Sequence, residues 1–300
     1  MGQVRSLLYG IFPRSEQLRL TYGRWERGSV GTDEVKERIR EEKEKFYGMC
    51  RNIDLVTDPP LFNWHDILRP LALATDGITL GGPLTRYLET NTFYREPLVS
   101  KVGKLRFDPY SDAEVEENPP MPIYMPRDSG WATFLPSPPL TFVKLSRLHG
   151  ISEGDAVKGL VDIYRQVQGG KSGTKNMVLF EALPYGKDDL TVLDPLFRDY
   201  KVTLVVQGRF SEKPFQGLHN RPDTLVVDLS DIEAASRVCR NVGVKALDAH
   251  NTRLEGKDAM RNLEDTASTL SGDLYVTTND YLDFLPRGIA EKKVAIMEAI

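Results

Sequence analysis

Three short runs decide the fold: VTLVV at Val202–Val206, TLVV at Thr224–Val227 and VGVKAL at Val242–Leu247. Each is apolar or β-branched almost throughout. None shows the alternation of a strand with one wet face, so they suit parallel strands buried on both sides. MVLF at Met177–Phe180 and LYVT at Leu274–Thr277 extend the series. Helical patterns fill most of the gaps, as at Asp231–Asn241 and Lys257–Thr269. Upstream, Leu7–Phe12 and Ile53–Thr57 read as strands flanking a helix. That helix starts with Thr32 as N-cap, carries Asp33 and Glu34 in its first turn, and shows Val35, Ile39 and Phe46 on one face. An eighth strand is expected near Thr133–Leu135.

Eight strands alternating with helices over 300 residues point to a single (β/α)8 TIM barrel. A doubly wound sheet is the alternative. The barrel is favoured because Asp58, Glu181, Gln207, Asp228, Asp248 and Thr278-Asn279-Asp280 follow the strands. In a barrel these positions converge on one mouth. The gap from Val206 to Thr224 leaves little room for a full crossover helix. Between Asp108 and Leu140, eight of 33 residues are proline, which marks an irregular insertion in the barrel.

Composition excludes several classes. Lys and Arg total 39 against 43 Asp and Glu, a net charge of -4, which argues against a nucleic-acid binder. No apolar run approaches the roughly 18 residues of a membrane span. The apolar run after Met1–Ser6 is too short for a secretion signal. Two cysteines, Cys50 and Cys239, make no disulfide framework, and a cytoplasmic home is expected. There is no GxxxxGK[ST] and no GxGxxG after a strand; Gly169–Gly173 precedes a strand and reads as a surface loop. The four histidines, His65, His149, His219 and His250, stand apart, and neither cysteine has a Cys or His nearby, so no metal site is expected. Asp58, Glu181, Asp228 and Asp248 are candidates for acid–base catalysis, although strand-end acids also cap helices and bind loop backbone. The stretch TRYLETNTFYREP at Thr85–Pro97, dense in aromatics and charges, either lines a binding mouth or packs on the surface.

Taken in order, these segments resemble the cobalamin-independent methionine synthases, and in particular their N-terminal barrel standing alone. The likeness is carried by Gly10-Ile11-Phe12-Pro13-Arg14, by Tyr22-Gly23-Arg24-Trp25-Glu26-Arg27-Gly28 and by Asp58–Asp66. The most specific piece is Thr85–Tyr94 with Pro97, followed by Pro138–Phe142, Asp248–Arg253 and Leu285-Pro286-Arg287. The resemblance implies a TIM barrel serving methyl transfer to homocysteine, with Arg14, Asp66, Arg86, Asn91 and Asn251 as substrate-binding residues. Arg14 stands near the family's site for a folate polyglutamate tail, where a guanidinium suits carboxylates. The family's catalytic zinc is held by a His-x-Cys pair, a glutamate and a second cysteine after the last strand. This chain has no His-x-Cys, and Thr278-Asn279-Asp280-Tyr281-Leu282 stands where that cysteine would follow. The resemblance therefore implies that this chain binds no cofactor, and that zinc belongs to a separate catalytic barrel as its partner. The alternatives are an independent small-molecule enzyme using the strand-end carboxylates, and a non-catalytic binding or scaffold protein.

Overall fold

The computed structural model describes residues 2–64, 66–88, 90–107, 109, 138–169, 176–181 and 190–300, together with the short pieces 114–115, 121–122 and 132–133. Among the described residues, seven parallel strands form a nearly closed barrel: β1 (Val4–Leu8), β2 (Leu55–Thr57), β3 (Asn176–Glu181), β4 (Lys201–Val206), β5 (Thr224–Val227), β6 (Asn241–Leu247) and β7 (Leu274–Thr278). A two-residue strand, Ala132–Thr133, pairs in parallel with β2. From there the order is β2, β1, β7, β6, β5, β4, β3. The first long strand lies beside the last, as closure of a barrel requires and as a doubly wound sheet does not. The pattern is thus TIM-like. Of the expected eighth strand, the described residues include Ala132–Thr133; the rest of Thr133–Leu135, and most of the 108–140 insertion, lie outside the described residues.

The strands form where the sequence is buried on both faces. Val202, Leu204, Val205, Leu225, Val226, Val227, Val242 and Val244 are all buried, between the barrel interior and the surrounding helices. Those helices are α1 (Glu16–Glu26), α2 (Thr32–Met49), α3 (Arg69–Ala74), α4 (Pro139–Lys144), α5 (Glu153–Gly169), α6 (Asp194–Asp199), α7 (Ile232–Val238), α8 (Lys257–Thr269) and α9 (Arg287–Glu298). Ser15 caps α1, its side chain accepting from Leu18 N at 3.1 Å. For α2 the cap is Gly31 and Thr32 is the first helical residue; the Thr32 hydroxyl instead accepts from Trp25 Nε1 at 3.3 Å. The short Val206–Thr224 connection carries only the 3-10 turn Lys213–Phe215.

One addition interrupts the alternation. Ile78–Arg86 and Phe93–Val99 pair as an antiparallel hairpin, with an irregularity between Leu80 and Leu84 where Gly81, Gly82 and Pro83 fall. Its turn lies between Arg86 and Phe93, so the Thr85–Tyr94 segment forms the tip of the hairpin. That turn is braced internally: Tyr87 N donates to Thr92 O at 2.9 Å, and the Thr90 hydroxyl donates to Tyr87 O at 2.6 Å.

Candidate functional site at the barrel mouth

The residues after the strands line the carboxyl-terminal end of the barrel. Tyr9 follows β1, Phe180 belongs to β3 and Tyr281 follows β7. Their rings meet at 5.6 Å (Tyr9–Phe180), 5.8 Å (Tyr9–Tyr281) and 4.8 Å (Phe180–Tyr281). β1 and β3 are not neighbours in the sheet, so these contacts cross the interior and floor the mouth. Burial holds the Tyr9 phenol well above its ordinary pKa, and the nearby Asp280 and Asp228 push it the same way. Gly10 makes this floor possible. Its φ of +87° disfavours a side chain, and a Cβ there would stand 1.9 Å from Tyr281 Cδ1.

Above the floor lies a small polar group. Asp280 is buried and its Oδ2 sits 3.2 Å from Nε2 of the half-exposed His250. Tyr281 N donates to Asp280 Oδ1 at 2.7 Å, and the Gln207 side chain also bonds Asp280. Burial raises the Asp280 pKa against the pull of these bonds and of His250. His250 is held edge-on to Phe284 at 4.8 Å. Three residues beyond Asp280, Asp283 is pushed up to about 6, first by burial and further by the Asp280 charge. Its Oδ2 accepts from Asn91 N at 3.1 Å. The hairpin turn therefore reaches the barrel mouth, where the Tyr87 ring neighbours the Tyr281 phenol. Asp283 at about 6 and the raised Asp280, set beside an imidazole, form a group that can hold or move a proton.

The four carboxylates expected to be catalytic do not gather here as a set. Asp58 pairs with the fully buried Lys43 at 2.7 Å and accepts from the Tyr47 hydroxyl. Glu181, also buried, accepts from Thr141 N at 3.2 Å and Thr141 Oγ1 at 2.7 Å, which fixes the start of α4. Asp248 accepts from His250 N at 2.9 Å and Asn279 Nδ2 at 3.1 Å, and these bonds lower its pKa. Asp228 is half-exposed and pairs with Lys245 at 3.0 Å.

The expected substrate-binding residues are similarly divided. Arg14 donates to Leu61 O and, at 2.6 Å, to Trp64 O, and its guanidinium lies 4.6 Å over the Tyr22 ring. Burial lowers its pKa. Asp66 is buried and accepts from Leu68 N at 2.9 Å and Arg69 N at 2.6 Å, at the start of α3; burial raises its pKa. Arg86 is exposed and donates to Thr90 O within the hairpin turn. Asn91 brings its backbone to the mouth, while Asn251 is exposed and accepts from Arg253 N at 2.9 Å. Sequence reasoning passed over Asp280, His250 and Asp283 as a group. The signal was present in the polar run after β7, but His250 is 30 residues away and looked isolated.

The residues present do not fit a thiolate zinc site at the mouth. Cys50 precedes β2 and Cys239 precedes β6, so in a parallel barrel both lie at the amino-terminal end. Both are buried, burial raises both thiol pKa values, and Cys239 Sγ donates to Pro222 O at 2.8 Å. Among the described residues, no group of three or more His, Cys, Asp or Glu is placed to hold a metal ion. His65 lies outside the described residues. Among those residues, no helix is long and apolar enough to cross a membrane.

No protein-family profile and no curated protein matches the chain. Among solved structures, it is similar to a Listeria monocytogenes protein provisionally named a vitamin-B12 independent methionine synthase. The identity is 13% and the TM-score 0.63, over 99% of this chain and 98% of that one. At that identity the likeness is one of fold: this chain shares that protein's barrel architecture along nearly its whole length.

Proposed function

We propose that this chain is a methionine synthase-like barrel that supports methyl transfer to homocysteine beside a separate zinc-bearing chain. The observation that carries this reading is the position of the two thiols, buried at the amino-terminal end and remote from the mouth where the strand-end groups gather. Thiolate ligands to an activating zinc must then come from elsewhere. The full-length likeness in fold supports the assignment to this type of barrel. A folate polyglutamate would meet Arg86 more readily than Arg14, because Arg86 is exposed and Arg14 is not. Elemental analysis and a homocysteine methylation assay on the purified chain test the proposal. No zinc and no turnover alone, with recovery of a zinc-bearing barrel in native pull-downs, is the expected result. Stoichiometric zinc with turnover by the chain alone would overturn it.

A second reading, an independent small-molecule enzyme, is favoured by the Asp280–His250 pair with Asp283 alongside. It moves the acid–base chemistry from Asp58, Glu181, Asp228 and Asp248 to these three. On this reading Asp280→Asn abolishes turnover of the substrate while leaving the melting temperature within a few degrees.

A further inference from the structure

The pairing register of the barrel sets four polar residues in one arc. Phe180 faces the interior, where its ring meets those of Tyr9 and Tyr281. Positions paired across parallel strands point to the same side, so Val205 of β4, Val226 of β5 and the Gly243 position of β6 follow Phe180 inward. Two residues further along each strand the side is the same again. Gln207, Asp228 and Lys245 therefore face the interior at the mouth end, and Thr277 of β7, paired with Lys245, joins them. Three interactions agree with this placement. Lys245 Nζ meets Asp228 Oδ1 at 3.0 Å, Gln207 stands beside Asp280, and the Asp228 and Asp280 charges both act on the Tyr9 phenol.

The arc is incompletely satisfied from within. The Lys245 side chain is 4% exposed, and among the described residues its ammonium has one ion-pair partner, so two N–H groups are open to a further acceptor. Thr277 is fully buried, and its hydroxyl has no hydrogen-bond partner among the described residues. A buried polar group without a partner is costly, and a ligand that supplies one removes that cost. Asp228 is 49% exposed on its side chain, so the arc opens to solvent.

The charges decide the kind of ligand. The ammonium of the arc is already matched by Asp228, and Asp280 and Asp283 stand at the same mouth. An anion would meet these acids, and the one other cationic group beside them, His250 when protonated, is held by Asp280. A cation would meet the Lys245 ammonium. A neutral ligand that both donates and accepts meets neither repulsion. Neighbouring hydroxyls do this in pairs: one accepts from Nζ while the next donates to the carboxylate. Gln207 and Thr277, each donor and acceptor, extend the arc to further hydroxyls. Strands about 4.8 Å apart bring Asp228, Lys245 and Thr277 within a span that one sugar ring can bridge. We propose that the arc Gln207–Asp228–Lys245–Thr277 binds a neutral polyhydroxylated ligand of monosaccharide size through its vicinal hydroxyls. This site goes beyond the methyl-transfer reading, since it calls for no zinc and no partner chain.

The test uses the whole protein with myo-inositol, D-glucose and D-ribose as polyols, and cyclohexanol as a ring with a single hydroxyl. Binding is read by saturation-transfer difference NMR and by isothermal titration calorimetry, which need no turnover. At least one polyol is expected to bind saturably, and cyclohexanol is not. Asp228→Asn and Thr277→Val are each expected to weaken binding of that polyol by roughly tenfold. Thr277→Val removes a hydroxyl that has no partner among the described residues, so its melting temperature should hold and lost affinity is not lost fold. No saturable binding of any of the three polyols, equal binding of cyclohexanol, or an affinity indifferent to both variants would overturn the proposal. Zinc analysis and the methylation assay are independent of these titrations, so this site and the methyl-transfer reading fail separately.

Discussion

The backbone N–H of Asn91 donates to Asp283 Oδ2 at 3.1 Å, joining the hairpin turn to the loop that follows the last barrel strand. The other carboxylate oxygen, Oδ1, is buried with no hydrogen-bond partner among the described residues. The acid is therefore held by one good bond in a place that disfavours its charge, which is why its pKa rises to about 6.

The pH dependence follows from that shift. The folded protein binds the Asp283 proton more tightly than the unfolded chain does, so the protonated acid favours folding. That advantage is full below the ordinary carboxylate range and is lost as pH rises through about 6. Asp283→Asn should therefore stabilise the protein at pH 8, by about 2 kcal/mol, and have little effect at pH 4. Urea midpoints of both proteins at the two pH values check this. A gain confined to the acid side would contradict it.

Gly10 should tolerate no side chain. Its positive φ and its contact with the Tyr281 ring add strain of two kinds, so Gly10→Ala should cost about 3 kcal/mol. Near-ultraviolet circular dichroism should show the tyrosine environment changing, because the same ring packs on Tyr9 and Phe180.

Glu181→Ala leaves the amide and hydroxyl of Thr141 without their acceptor in a buried place. A loss of roughly 3 kcal/mol is expected in equilibrium unfolding. A variant with full stability but no activity would instead return Glu181 to a catalytic role.

Lys293→Met removes the partner of Glu255, whose Oε1 also accepts from Asp248 N at 2.8 Å. Stability should fall by about 3 kcal/mol. Hydrogen exchange should quicken across 248–256, the loop that carries His250.

Much of the barrel could be read in the sequence because burial on both faces leaves its mark within each strand: Leu225–Val227 has no room for a polar residue. The short Val206–Thr224 gap also signalled truthfully, since only a 3-10 turn fits there. The hairpin was less legible. Gly81, Gly82 and Pro83 interrupt its first strand, and their irregular pairing hides the two-residue period. The site was legible by place but not by role. Asp58 and Glu181 do stand at strand ends, yet what they do depends on Lys43 and Thr141, which come from other parts of the chain. Asp280 and His250 become a pair only when β6 and β7 lie side by side.

Burial of Cys50 and Cys239 has a practical side. A thiol held at a pKa of about 12, as in Cys239, presents almost no thiolate at neutral pH, and folding shields its sulfur from reagents. The native molecule should survive handling in air without a reductant. A thiol-specific dye added to it will count unfolded chains alone, so these two side chains serve as an internal gauge of how much of any preparation is folded.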